Sequence, residues 1–173
     1  LYDLAADAGY KVTYTQADAE AVTAADEKVI LIDEHLADSD AMDYEMDRQD
    51  GEWALADYVA KGIEVLNNDT GFFMMVEGGK IDWACHANDA AASIHDVIEM
   101  HNAVQAAVEF YAQHPDDTLI LVTADHETGG LGIGYKTTNY DTFLTNLAHQ
   151  KMSYAKFDST YVNNYVKNQT PFE

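Results

Sequence analysis

Four short runs rich in β-branched, aliphatic and aromatic residues punctuate the chain: Tyr10–Thr15, Lys28–Ile32, Phe72–Val76 and Thr118–Val122. Each has the length and residue types of a strand, and the last three are apolar almost throughout, as strands covered on both faces are. Between them the apolar period lengthens to that of a helix. Leu1–Ala8 reads as a helix end stopped by Gly9, and Asp18–Ala25 as a short helix. Glu52–Leu66 places Trp53, Leu55, Ala56, Val59, Ile63 and Leu66 on one face. A long helix capped by Asn88 or Asp89 runs to about Gln113, with Ile94, Val97, Ile98, Val104, Val108 and Tyr111 as its expected buried stripe. Tyr140–Gln150 and Ser159–Lys167 show weaker helical character. Strands alternating with helices predict an α/β fold, a mostly parallel sheet with helices on both faces and right-handed crossovers.

The 173 residues suffice for one domain with a sizeable core, and 47% apolar content excludes a disordered chain. No apolar run approaches the ~20 residues of a membrane helix, so no membrane span is expected. The chain lacks an initial Met and a signal-like start, and is read as a processed piece of a longer protein. A net charge of −22 argues against nucleic acid as a partner, because phosphate backbones are met with Lys and Arg. The same charge does not exclude a small phosphorylated substrate. Solvent-exposed charges farther apart than ~8 Å are largely screened, and bound divalent ions would set the local field. The single cysteine, Cys85, excludes an internal disulfide and reads as a small packing residue.

The chemistry lies at the ends of the third and fourth runs. In an open parallel sheet, ligands bind beyond the carboxyl ends of the strands. Val76-Glu77-Gly78-Gly79-Lys80-Ile81-Asp82-Trp83-Ala84-Cys85-His86 follows one run, and Val122-Thr123-Ala124-Asp125-His126-Glu127-Thr128-Gly129-Gly130 ends the other. Asp82 and His86 are four residues apart and would share a face if that stretch is helical. A carboxylate with an imidazole suits zinc, and Asp125-His126 offers a second such pair. Glu77 offers oxygen alone, which suits magnesium. Each feature is weak by itself; together, on two strand ends of one sheet, they favour a metal cluster of the kind that clamps the oxygens of a phosphoryl transfer. Asp38-Ser39-Asp40-Ala41-Met42-Asp43 invites comparison with a calcium loop but lacks the glycine and glutamate at the required positions, and reads as a solvated turn.

These two motifs, in this order and separation, resemble the metal-binding core of alkaline phosphatases, and Trp83 resembles a variant seen in some bacterial members. The resemblance is sharpest over residues 71–132 and looser over a helical tail at 135–173, so residues 1–173 are expected to form part of an alkaline-phosphatase-like catalytic domain. It implies phosphate monoesters as substrates, two zinc ions, one magnesium ion and a phosphoserine intermediate. Asp82 and His86 correspond to ligands of one zinc, Asp125 and His126 to ligands of the other, Glu77 to a magnesium ligand, and Trp83 to the wall of the phosphate pocket. It further implies a periplasmic or secreted parent protein, compatible with a homodimer.

The family's nucleophile segment, Asp-Ser-Ala, has no match here: Ser39 sits in Asp38-Ser39-Asp40 without the following alanine. Its phosphate-gripping arginine has none either, since Arg48 falls in the acidic loop. His35, His95, His101, His114 and His149 read as loop, helix-surface or capping residues. The expectation is a phosphatase fragment that lacks turnover alone, completed by the remainder of its parent chain. Other readings are another hydrolase or mutase of the same superfamily, such as a sulfatase, and a non-catalytic metal-binding domain. The contiguous Thr-Ala-Asp-His-Glu-Thr-Gly-Gly favours the phosphatase.

Overall fold

Lys11–Thr13 (β1) and Val29–Leu31 (β2) pair as parallel strands with Lys11 opposite Val29 and Thr13 opposite Leu31. The computed structural model describes residues 1–132 and 134–169. Tyr2–Asp7 (α1) precedes β1 and ends where Gly9 turns with φ +88°, a conformation that glycine adopts without steric cost. Gln16–Glu20 (α2) forms the crossover, its first turn capped by the Thr15 hydroxyl, which accepts from Asp18 N–H. A single 3-10 turn at Ala24–Asp26 replaces the end of the expected Asp18–Ala25 helix. Further along lie Leu55–Leu66 (α3), Gly79–His86 (α4), Ala90–Gln113 (α5), Tyr154–Phe157 (α6) and Asn163–Asn168 (α7). The chain is therefore α/β with a small parallel sheet. No helix among the described residues is long and apolar enough to cross a membrane.

Two compact units are distinguished. The first comprises Leu1–Asp43, Gln49–Glu77 and Glu99–Val122. Here Val22, Ala19, Val59 and the β1 residue Thr13 are buried. Lys61 on α3 donates to the carbonyls of Glu20 and Val22, closing the end of the α2 segment. The amide of Ala56 donates to the carboxylate of Glu99, which ties the start of α3 to the long helix. Tyr58 donates to Asp33 at 3.1 Å, and its burial together with that carboxylate raises the phenol well above its ordinary range.

Two expected strands are not found. Phe72–Val76 and Thr118–Val122 carry no ladder; among the described residues only β1 and β2 pair as strands. The two-residue alternation survives all the same. Phe72, Met74 and Val76 are half-buried, whereas Phe73 is 88% exposed. Met74 lies so close to α3 that a Cβ on Gly62 would approach its Cε to 2.6 Å. Phe72 meets Phe110 edge to face at 5.7 Å. Leu119 and Leu121 are each 81% exposed. One face of Phe72–Val76 thus packs and the other is bare, whereas Thr118–Val122 leaves Leu119, Leu121 and Val122 all exposed. A run of β-formers becomes a strand only when another backbone edge takes up its N–H and C=O groups.

The second unit comprises Tyr44–Arg48, Gly78–Ile98 and Thr123–Glu173. Its apolar centre is small: Tyr44, Ala84 and Ala92, with Met46 and Ala155 packed against them. Buried carboxylates hold the rest. Asp89 caps α5 by accepting from Ala92 N–H at 3.1 Å, and it also accepts from the Gln150 amide and Tyr154 N–H, each at 2.7 Å. Asp47 accepts from both the amide and the hydroxyl of buried Ser153. The Lys80 ammonium lies between two aromatic faces, 4.5 Å from the Tyr44 centroid and 4.0 Å from that of Trp83.

The expected buried stripe of α5 is corrected by the structure. Ile94, Val97, Ile98, Val108 and Tyr111 are exposed, and the buried positions are Ala91, Ala92, Ser93, Asp96, Glu99 and Ala103. Ala92, Asp96, Glu99 and Ala103 recur at helical spacing, so a face of small and acidic residues points inward. Its carboxylates accept backbone amides: Asp96 from Glu45, and Glu99 from Ala56 at the start of α3.

Asp96 carries a measurable consequence. Burial, with the nearby carboxylates of Glu45 and Asp47, outweighs the Glu45 amide and the Lys80 ammonium and pushes its carboxyl up to about 7. Its Oδ2 has no hydrogen-bond partner among the described residues. A carboxyl raised in the folded state keeps its proton longer there than in the unfolded chain. Stability therefore falls as pH rises from about 4, and the loss is complete above about 7. Asp96→Asn is expected to raise unfolding free energy by roughly 2 kcal/mol at pH 8 and to leave it nearly unchanged at pH 4. Urea denaturation at the two pH values measures this; an equal effect at both would refute it.

Candidate metal centre

The first motif does become a helix. α4 begins at Gly79, immediately after Gly78, and carries Asp82 and His86 one turn apart. Their facing atoms, Asp82 Oδ2 and His86 Nε2, stand 3.4 Å apart, and the imidazole is 70% exposed. α4 stops at Ala87, where Asn88 takes a left-handed φ of +53° and donates to the Cys85 carbonyl. Asp89 then caps α5, so the turn between the helices is short and firmly bonded.

The second motif folds back on this turn. Gly129, with φ +77°, lies against the Cys85 carbonyl so closely that a Cβ would come within 2.2 Å of that oxygen. Only glycine permits both the backbone angle and the approach. In consequence Thr128 reaches α4 and donates to Asp82 Oδ1 at 2.6 Å. The same hydroxyl is 3.1 Å from His126 Nδ1. Asp125 Oδ1 accepts from His126 N–H, leaving Oδ2 to face His126 Nε2 at 3.5 Å. The Glu127 carbonyl, and after it the Asp125 carboxylate, raises the His126 imidazole above its ordinary value.

Four of the sequence-predicted ligands are therefore gathered within the second unit as two similar pairs. In each, one carboxylate oxygen is held by a protein donor and the other faces an imidazole Nε2. Two ligands about 2.1 Å from one tetrahedral ion lie about 3.4 Å apart. The observed separations of 3.4 and 3.5 Å fit that requirement. No group of three or more candidate ligands converges among the described residues, so each pair offers half of a tetrahedral set. Glu77 is exposed at the end of the Phe72–Val76 segment and belongs to the first unit. Trp83 is 36% exposed on α4, with Lys80 against its ring. Thr128 and Gly129, which the sequence reading gave no separate roles, do the joining. Their signal is the unbroken motif itself, in which both follow the Asp-His pair after the single residue Glu127.

Gly129→Ala is expected to destabilise the second unit by roughly 2 kcal/mol or more, because the left-handed angle is strained and the Cβ meets backbone rather than a movable side chain. Chemical denaturation measures it; a loss below roughly 0.5 kcal/mol would refute the tight approach.

The family model described as alkaline phosphatase matches residues 2–171. This chain belongs to the alkaline phosphatase family. Among alkaline phosphatases of known sequence, it is 44% identical over 90 residues to alkaline phosphatase 4 of Bacillus subtilis, covering 51% of this chain and 19% of that protein. It is 42% identical over 80 residues to the alkaline phosphatase of Escherichia coli, covering 46% and 17%. The crystal structure of a cold-active alkaline phosphatase from the psychrophile Shewanella sp. superposes with a TM-score of 0.64 at 33% identity, covering 75% of this chain and 31% of that one. The chain thus spans about a fifth of the length of these two sequence relatives. The similarity to a solved alkaline phosphatase agrees with the α/β class expected from the strand and helix pattern.

Proposed function

We propose that this chain supplies part of the metal centre of a phosphatase that hydrolyses phosphate monoesters through a phosphoserine, with the serine contributed by a segment beyond these residues. Asp82 and His86 would hold one zinc ion, Asp125 and His126 a second, and Glu77 a magnesium ion. The observation that carries this reading is the pair of carboxylate–imidazole contacts at 3.4 and 3.5 Å, both spaced as neighbouring ligands of a tetrahedral ion. Bound zinc supplies Lewis acidity to phosphoryl oxygens and lowers the pKa of a coordinated oxygen nucleophile.

The residues of this chain orient and hold. α4 fixes Asp82 and His86 on one face, and the protein donors to Asp82 Oδ1 and Asp125 Oδ1 leave each second oxygen free to bind. Trp83 is assigned to the wall of the substrate pocket, its ring position set by the Lys80 contact at 4.0 Å. The bare faces of Phe73, Leu119 and Leu121 support the remainder of the parent chain as the partner that covers them. A periplasmic or secreted parent protein is part of the same proposal.

The test uses the 173-residue chain by itself. With zinc added, the ring resonances of His86 and His126 are expected to shift, with weak affinity because each ion finds two protein ligands. Zinc and magnesium together are expected to give no hydrolysis of p-nitrophenyl phosphate above buffer. Unmoved histidine resonances would overturn the metal assignment, and turnover by the chain alone would overturn the placement of the nucleophile elsewhere.

A further inference from the structure

His126 Nδ1 lies 3.0 Å from the Glu127 carbonyl, a group that can only accept, so Nδ1 carries the ring proton. The Thr128 hydroxyl has a single hydrogen, and the 2.6 Å contact commits it to Asp82 Oδ1. Its oxygen lies 3.1 Å from the same Nδ1, a second acceptor that shares this proton with the Glu127 carbonyl. The resulting chain, His126 Nδ1–H to Thr128 to Asp82, joins one carboxylate–imidazole pair to the other. In the neutral ring it leaves the lone pair of His126 on Nε2, the atom that faces Asp125 Oδ2. It also occupies Asp82 Oδ1, so that Oδ2 is the oxygen presented to His86.

We propose that Thr128 is a positioning residue of the metal centre: its hydroxyl orients the Asp82 carboxylate and meets the His126 ring, coupling the two ligand pairs. The assignment rests on reading Asp82, His86, Asp125 and His126 as metal ligands. Such outer partners of ligating imidazoles and carboxylates orient the ligands and strengthen binding. Thr128 is held for this task by its neighbour, since Gly129 is pinned against the Cys85 carbonyl. A valine at 128 keeps the shape and loses the hydroxyl, whereas a serine keeps the hydroxyl.

Zinc binding to the full chain is followed through the His86 and His126 ring resonances in competition with a chelator. Thr128→Val is expected to weaken binding about 10- to 100-fold and Thr128→Ser about threefold or less. A purely steric role for Thr128 would be kept by valine, which has the same shape, and would not separate serine from valine. Affinity unchanged in Thr128→Val, or a serine variant as weak as the valine one, overturns the proposal. If the valine variant does not fold, Thr128→Ala is read against the same two criteria. Asp82→Ala is run alongside. If it leaves His86 binding unchanged, the metal-ligand reading falls and this inference with it. If it weakens binding while Thr128→Val does not, the coupling role alone is refuted.

Discussion

Asp82→Ala is expected to lower the zinc affinity read at His86 on the order of 100-fold. Structural zinc sites with four protein ligands bind with roughly 10–16 kcal/mol, so one ligand contributes about 3 kcal/mol, close to two decades. The loss is local to the site: Asp82 is partly exposed on α4, and the helix is kept by its own backbone bonds and by the buried Ala84. The chain carries 31 Asp and Glu residues, which will bind zinc loosely at the surface. For that reason total metal uptake is uninformative, and the ring resonances of His86 and His126 are the signal that matters. Asp3→Ala, far along the sequence in the first turn of α1, serves as a control for loose uptake and is expected to have no effect. Equal effects of Asp82→Ala and Asp3→Ala would dispose of the site.

Asp47→Ala should destabilise the second unit by about 3 kcal/mol, because a buried acceptor serving two donors is removed and both donors stay behind. Asp47 and Ser153 are both buried, and the carboxylate takes the Ser153 amide at 2.9 Å together with the Ser153 hydroxyl. The Ser153 hydroxyl in turn caps α6 by accepting from Lys156 N–H. Loss of Asp47 therefore unpins the start of α6 and the chain that follows. The apolar centre there is too small to compensate, being built on Tyr44, Ala84 and Ala92. Asp47→Asn keeps one acceptor and should cost about half as much. Urea denaturation gives the magnitudes, and faster proteolysis after Lys156 or Lys167 reports the release. A cost below about 1 kcal/mol for Asp47→Ala would show that the latch is not a main support of this unit.

Local chemistry made much of the fold legible. Gly9 ends α1 and Asp89 caps α5, each through short-range rules that act within a few residues. The parallel pairing of β1 and β2 follows from two apolar runs with a helix between them. The inward face of α5 was not legible, because periodicity counts apolar side chains and cannot see that Asp96 and Glu99 are paired with backbone amides. Alanines on that face permit close approach, and the acceptors turn what reads as a solvent face into a buried one. The strand propensity of Phe72–Val76 and Thr118–Val122 was legible, but the ladder was not. Pairing depends on a second edge that no property of the run itself supplies.

Residue types and spacing alone picked out the candidate ligands, Glu77, Asp82, His86, Asp125 and His126, and the family to which they point. A helix repeat fixes which residues share a face, and that repeat is a local property. Only the tertiary structure decided that the two motifs meet, and how. A glycine pressed on the Cys85 carbonyl brings the Thr128 hydroxyl to Asp82, and that contact joins residues 46 apart in the chain. Such a contact depends on the path of the backbone through space, which follows from packing and not from the order of residues within either motif.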